Sequence, residues 1–173
     1  MYSTPPGNSA QAFSLSDDFR IAGRAKYVVN GPWRAYVTDP EGDIPLPGLG
    51  TFGGLESEAR DVSTESGTVG WAHNASNRRR AFYVQHGATA LQPFNELPRL
   101  AGTTGTAYNS EARSVNRLGQ VVGRIQNDSG SYRAFVYTPR RWQPGKRSDI
   151  AGAGQWGHPV ESWMAPRRCG GRQ

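Results

Sequence analysis

The amino-acid sequence predicts an all-β protein: three four-stranded antiparallel repeats that resemble the blades of a propeller. Three observations lead there. A segment of 47 to 53 residues recurs three times along the chain, the signature of a repeat architecture. Each copy alternates short runs of β-branched and aromatic residues with clusters of Gly, Asn, Asp and Ser, which reads as strands joined by turns. No stretch carries a convincing helical period for more than two turns, and only the region from Phe94 to Leu100 leaves room for a short helix.

The repeat is clearest between its second and third copies. Ser57-Glu58-Ala59-Arg60 returns as Ser110-Glu111-Ala112-Arg113, an offset of 53. Held without a gap, that offset gives 12 identities in 28 positions, from 57–84 against 110–137. Average residue usage would give roughly two. The first copy is more divergent. Ala12 stands at the place of Ala59 and Ala112, Gly23 at that of Gly70 and Gly123, and Arg34-Ala35-Tyr36 at that of the two Arg-Ala-Phe triplets.

Each element of the unit follows from its residues, most plainly in the third copy. A first strand spans 111–116, and a turn at Arg117-Leu118-Gly119 leads to a second strand over 120–125. Asn127-Asp128-Ser129-Gly130 has the residue types of a tight turn. A third strand, Arg133 to Thr138, is aromatic and β-branched, and a looser fourth segment lies near Lys146 to Ile150. Connections this short make hairpins, so the strands run antiparallel.

One such meander has two faces and needs a neighbour on each. Repeated four-stranded meanders of this length pack radially, with the first strand nearest the axis. The small Ala12, Ala59 and Ala112 suit a crowded axis. A β-sandwich or β-prism built from the same units is the alternative. Within a single repeat domain over 1–173, the blades span about 10–47, 55–100 and 108–150, and 151–173 reads as a partial or capping segment of a truncated array. Three blades do not close a ring. The expectation is a homodimer whose two-fold axis completes six, because soluble homo-oligomers favour closed symmetry.

Composition narrows the function classes. A chain of 173 residues with 18 aromatics can bury a core and does not read as disordered. The net charge is +6 and the pI about 9.9, nearly all of the basic excess being Arg. Such a surface attracts acidic proteins, acidic glycans or nucleic acid; the bland reading is Arg-rich codon usage. Cys169 is the one cysteine, so there is neither an intrachain disulfide nor a cysteine zinc motif. No apolar run is long enough to span a membrane. Met1 to Gly7 has no basic flank or apolar stretch and does not read as a secretory leader. The protein therefore stays inside the cell, or the chain is a mature or shortened form.

Gly48-Leu49-Gly50-Thr51-Phe52-Gly53-Gly54, Ser57-Glu58-Ala59, then Val115-Asn116 with Gly119-Gln120-Val121-Val122-Gly123, and Arg133-Ala134-Phe135 together form a recognisable pattern. The pattern resembles the HAF repeat, a bacterial family named for a His-Ala-Phe triplet and regarded as extracellular. The resemblance covers roughly residues 10–150. Two departures stand out: all three triplets carry Arg in place of His, and Asp18-Phe19-Arg20 replaces the Gly-Gln turn in the first copy. The resemblance implies propeller-like β repeats and export. It brings no enzymatic activity and no catalytic residues.

Side-chain chemistry points to binding rather than catalysis. His73, His86 and His158 have no metal-ligand spacing, and the next copy has Gln126 at the position of His73. No Ser lies in a Gly-x-Ser-x-Gly setting, Gly50 to Gly54 precedes no phosphate-binding Lys, and Asp128 lacks the other positions of a calcium loop. The pairs Glu56/Glu58 and Asp17/Asp18 invite a polysaccharide-acting enzyme with carboxylates in the channel as the alternative function. The leading expectation is a non-enzymatic binding or scaffold module with a protein or glycan ligand and no cofactor or metal; nucleic acid is less favoured. Candidate ligand contacts are the recurring Arg60 and Arg113, Trp142 beside Arg140-Arg141, and the pattern-breaking Trp156, His158 and Trp163. For the recurring charges, including Glu58, Glu111, Arg80 and Arg133, the plainer expectation is structural: what recurs in every unit builds the unit.

Overall fold

The computed structural model describes residues 9–41, 48–99 and 104–139. Its strands are β1 (Ala10–Leu15), β2 (Ile21–Lys26), β3 (Trp33–Val37), β4 (Gly53–Ser63), β5 (Gly67–Asn74), β6 (Arg79–Val84), β7 (Ser110–Val115), β8 (Val121–Gln126) and β9 (Tyr132–Tyr137). Each consecutive three make one antiparallel sheet in chain order. The sole helical element among the described residues is a single 3-10 turn at Pro93–Asn95, overlapping the region where the sequence leaves room for helix.

The turns set the register. Asn116 Oδ1 accepts from the Leu118 and Gln120 N–H groups, and Asn74 Oδ1 from those of Ser76 and Arg78. Each loop also contains one left-handed residue. In the second hairpins these are Asn30, Asn77 and Gly130 (φ 58°, 53° and 80°); in the first hairpin of the third unit it is Gly119 (φ 75°). The first unit puts Phe19 at the place of Gly119, with φ 65°. A bulky side chain pays a steric cost there that glycine avoids.

The described sheets have three strands, not the expected four. The segment after the third strand reaches it only briefly: Leu49 N–H donates to Ala35 O, Leu97 N–H to Ala81 O, and Phe82 pairs with Glu96 in an isolated bridge. Pro93 and Pro98 flank that contact, and proline cannot donate to a ladder. The fourth segment expected near 146–150 lies outside the described residues.

The three sheets stack face to face. Ala22 and Ala35 of the first meet Ala59, Val62, Ala72, Phe82 and Val84 of the second, with Leu49 and Leu91 closing the core. Val69 and Ala81 of the second meet Ala112, Val115, Val121 and Tyr137 of the third, with Leu97. Each buried Val is worth roughly 1.5–3 kcal/mol. Serine clips the stack. Ser57 Oγ accepts from Ala35 N–H at 2.9 Å, and Ser110 Oγ from Ala81 N–H at 2.8 Å. This explains why a Ser two residues before the Ala recurs with the Arg-Ala-aromatic triplet: the two motifs bind each other across the joint.

The triplet arginine has the structural role expected of it. Arg34 Nη1 donates to Leu55 O, and Arg80 Nη1 to Tyr108 O, equivalent carbonyls leading into the next unit. Arg80, buried, also donates to Thr106 O at 2.8 Å, pairs with Glu96 at 3.1 Å and lies over the Tyr108 ring.

The same irregularity appears in all three first strands. Register shifts between Ala12 and Ser14, between Ala59 and Asp61, and between Ala112 and Ser114. Phe13, Arg60 and Arg113 are therefore bulged residues without a cross-strand partner. Opposite each bulge, the carbonyl of Gln11, Glu58 or Glu111 comes so close to Gly23, Gly70 or Gly123 that a Cβ would overlap it.

Two stability changes follow. Gly70→Ala forces the β4 backbone away from β5 and should cost about 1–3 kcal/mol or more in urea unfolding; a wild-type midpoint would refute the close-approach reading. Phe19→Gly removes an exposed ring from a left-handed position and should stabilise the fold by about 1 kcal/mol, whereas Phe19→Ala should not. Equal midpoints for the two variants would show that the backbone there is unstrained.

Candidate functional site

The bulges define the site. A bulge re-aims a side chain; here Arg60 lies over the Phe13 ring, and β4 packs against both β1 and β7. Asp61 ties the row together. Its carboxylate accepts from Ser14 Oγ and Ser114 Oγ, both at 2.6 Å, from Val115 N–H at 2.9 Å and from Val62 N–H at 3.0 Å. Ser14, Asp61 and Ser114 are equivalent positions, so one carboxylate between two hydroxyls joins all three units.

Beside this row, a glutamate sits at each joint between sheets. Glu58 is 3% exposed and Glu111 1%. Each takes three donors with the same pattern of origin. One is an arginine of the preceding sheet: Arg24 Nη1 to Glu58 at 2.9 Å, Arg79 Nη1 to Glu111 at 2.5 Å. One comes from the second strand of its own sheet: the Trp71 indole N–H to Glu58 at 3.4 Å, Arg124 Nε to Glu111 at 2.9 Å. The third is the bulged arginine two residues on: Arg60 on Glu58, and Arg113 on Glu111 at 3.3 Å.

Aromatic rings hold the donors. Arg24 lies 4.4 Å from the Trp33 ring centroid, Arg79 4.4 Å from Trp71 and Arg124 4.4 Å from Tyr132. In the second unit the cation and the ring have changed strands, yet the stack is kept. Arg60 and Arg24 also flank the Phe13 ring, at 5.4 Å and 5.8 Å.

The electrostatics favour an ionised Glu111. Burial alone would push the Glu111 carboxyl up, but hydrogen bonds and charge from Arg124 and Arg79 outweigh it and hold the group below its ordinary value. Arg124 is raised in turn, chiefly by its bond to Glu111. Arg24 and Arg60 pair with Glu58, and Arg79, Arg113 and Arg124 with Glu111; with Asp61 counted, the row holds five positive and three negative side chains.

Of the expected ligand contacts, Arg60 and Arg113 are brought together on this row. Trp142, Trp156, His158 and Trp163 lie outside the described residues. His73 lies in β5 beside Trp71, ring centroids 5.1 Å apart, and burial lowers its pKa. Asp128 accepts from the Thr104 and Gly105 N–H groups and pins that connector. Among the described residues no group of His, Cys, Asp and Glu side chains is arranged to hold a metal ion. Phe13, Asp61, Arg24 and Arg124 were not singled out in the sequence. For Asp61 a signal exists, since it stands as an acid where the other copies have Ser.

In comparisons with known proteins, no family model, no curated protein and no solved structure matches this chain.

The linkage of Glu111 gives a pH test. Its folded pKa lies below its ordinary value of 4.5, so the stabilisation is present above that pH and is lost as pH falls through the folded value. Glu111→Gln should lower stability at pH 7 by about 1–3 kcal/mol, the partly solvated arginines softening the loss. It should also flatten the fall between pH 5 and 3. Parallel pH profiles for wild type and variant in urea unfolding would rule the linkage out.

Proposed function

We propose that this chain is a non-enzymatic binding module of repeated β units, and that the row of bulged residues is its ligand face. The observation that carries this reading is the surplus of Arg60 and Arg113. Without Arg60, Glu58 keeps Arg24 and Trp71; without Arg113, Glu111 keeps Arg79 and Arg124. Each glutamate would thus keep a donor from either side of its joint without the bulged arginine, and the bulge leaves that arginine partly in solvent. Arg113 leaves half of its side chain in solvent and Arg60 a third.

The ligand class follows from the chemistry. Guanidinium groups bind carboxylate or sulfate in bidentate geometry, and a flanking Phe13 offers a face for an apolar ring. An acidic glycan or an acidic protein segment fits both. A hydrolytic role has less support. Glu58, Asp61 and Glu111 are occupied as acceptors, and the nearest carboxyl raised by burial, Glu96, is paired with Arg80 and Tyr108 at a separate place.

The propeller reading belongs to the same proposal. Stacked meanders, first strands side by side and a rudimentary fourth segment at Leu49 and Leu97 are what a blade array would contain. The likeness to the HAF repeat supports it: the Ser-x-Ala and Arg-Ala-Phe motifs that carry the resemblance meet across the joints.

Heparin, as a sulfated glycan, and a poly-glutamate peptide are suitable probes, with dextran as the neutral control. Titration calorimetry should show binding of an acidic probe that weakens steeply with salt, and no binding of dextran. Arg60→Gln with Arg113→Gln should lose about tenfold in affinity, on the order of 1.4 kcal/mol, with the melting temperature nearly kept. Arg133→Gln, on the far strand, should bind as wild type. Equal loss in both variants would mean diffuse charge, not this face, carries binding.

A further inference from the structure

The two ends of the stack present complementary halves of a joint that the chain itself builds twice. At each internal joint, a buried alanine and valine of a first strand press on the preceding sheet. Ala59 and Val62 lie over Ala22 and Ala35; Ala112 and Val115 lie over Val69 and Ala81. The same positions at the ends are open. In β1, Ala12 is exposed, and Leu15 is 64% exposed where Val62 and Val115 are 5% and 7%. On the third sheet, Ala134 is exposed and Val122 is 44% exposed, where Ala81 and Val69 are 1% and 0%. Val136, the cross-strand partner of Val122, is 52% exposed.

We propose that a second copy of this chain covers the third sheet with its own β1, head to tail. Ala12 and Leu15 of one copy would rest on Val122, Ala134 and Val136 of the other. The occupant is argued from register. β1 carries an alanine and a branched aliphatic at the same spacing from the bulge as β4 and β7, and the receiving face repeats the small and branched residues that accept them. One contact of this kind covers one open face of each copy, and two such contacts about a two-fold axis leave none exposed. The joint differs from the internal ones in two polar positions. Ala10 and Gln11 stand where Ser57 and Glu58, or Ser110 and Glu111, stand, so the serine clip and the buried charge are absent. This joint rests on apolar contact and should be weaker than the internal ones, hence concentration-dependent. The competing occupant is the chain's own stretch from residue 140 onward.

The full chain in light scattering should show the mass of two copies at micromolar concentration. Leu15→Asp and Val136→Asp each change an exposed side chain, so both should keep wild-type circular dichroism while the mass falls twofold, to one copy. Mixing the two variants is the decisive arm, because one carries an intact third sheet and the other an intact β1. The mixture should regain the mass of two copies. A monomeric wild-type chain, or a mixture no heavier than its components, overturns the proposal. Slow maleimide labelling of a Val136→Cys thiol, in a chain also carrying Cys169→Ser, would overturn it too if the chain is monomeric, giving that face to the residues beyond 140.

Discussion

An ionised carboxylate withdrawn from water costs several kcal/mol unless hydrogen bonds and opposite charge replace its hydration. Glu111 sits in that position at one joint, Glu58 is buried at the other, and the units are arranged around meeting their needs. Three donors converge on each, from the preceding sheet, from the same sheet and from the bulged strand. Because no single sheet can supply them all, the charge is satisfied only when neighbouring units are docked in register. The apolar core rewards many alignments of two small-residue faces; the glutamate rewards one.

The bulge and the glycine serve the same geometry. A bulged residue lets the first strand swing its carbonyl inward, and Gly23, Gly70 or Gly123 leaves room for it. The strand thereby twists across its own sheet while its serine and its small alanine reach the sheet before it. Gly70 and Gly123 were visible as identities in the repeat, but their purpose was not: a residue excluded by a neighbouring backbone leaves no trace of the neighbour in its own identity.

How much was legible follows from this distinction. Strand content, hairpins and antiparallel order were readable because turn residues and β-branched runs act locally. The recurring Arg and Glu were readable as structural, and Arg34 and Arg80 do bind carbonyls leading into the next unit. The fourth segment expected near Lys146 to Ile150 lies outside the described residues; in the second unit the chain near Leu97 meets its sheet at one bridge, with Pro93 and Pro98 on either side. On the candidate face, Arg60 and Arg113 were found through repetition. Asp61 and Phe13 were missed because they break the repeat, and their meaning depends on which strands lie side by side.

The exchange between Trp71 and Arg79 has a consequence for how such arrays diverge. In the outer units the cation is on the second strand and the ring on the third; in the middle unit they have traded places, with the stacking distance unchanged. Compared column by column, the copies disagree at both positions. Compared as a stacked couple, they agree completely. A duplicated unit can thus drift beyond the reach of residue-wise comparison while its physical specification stays fixed, because selection acts on the couple and either strand can hold either half.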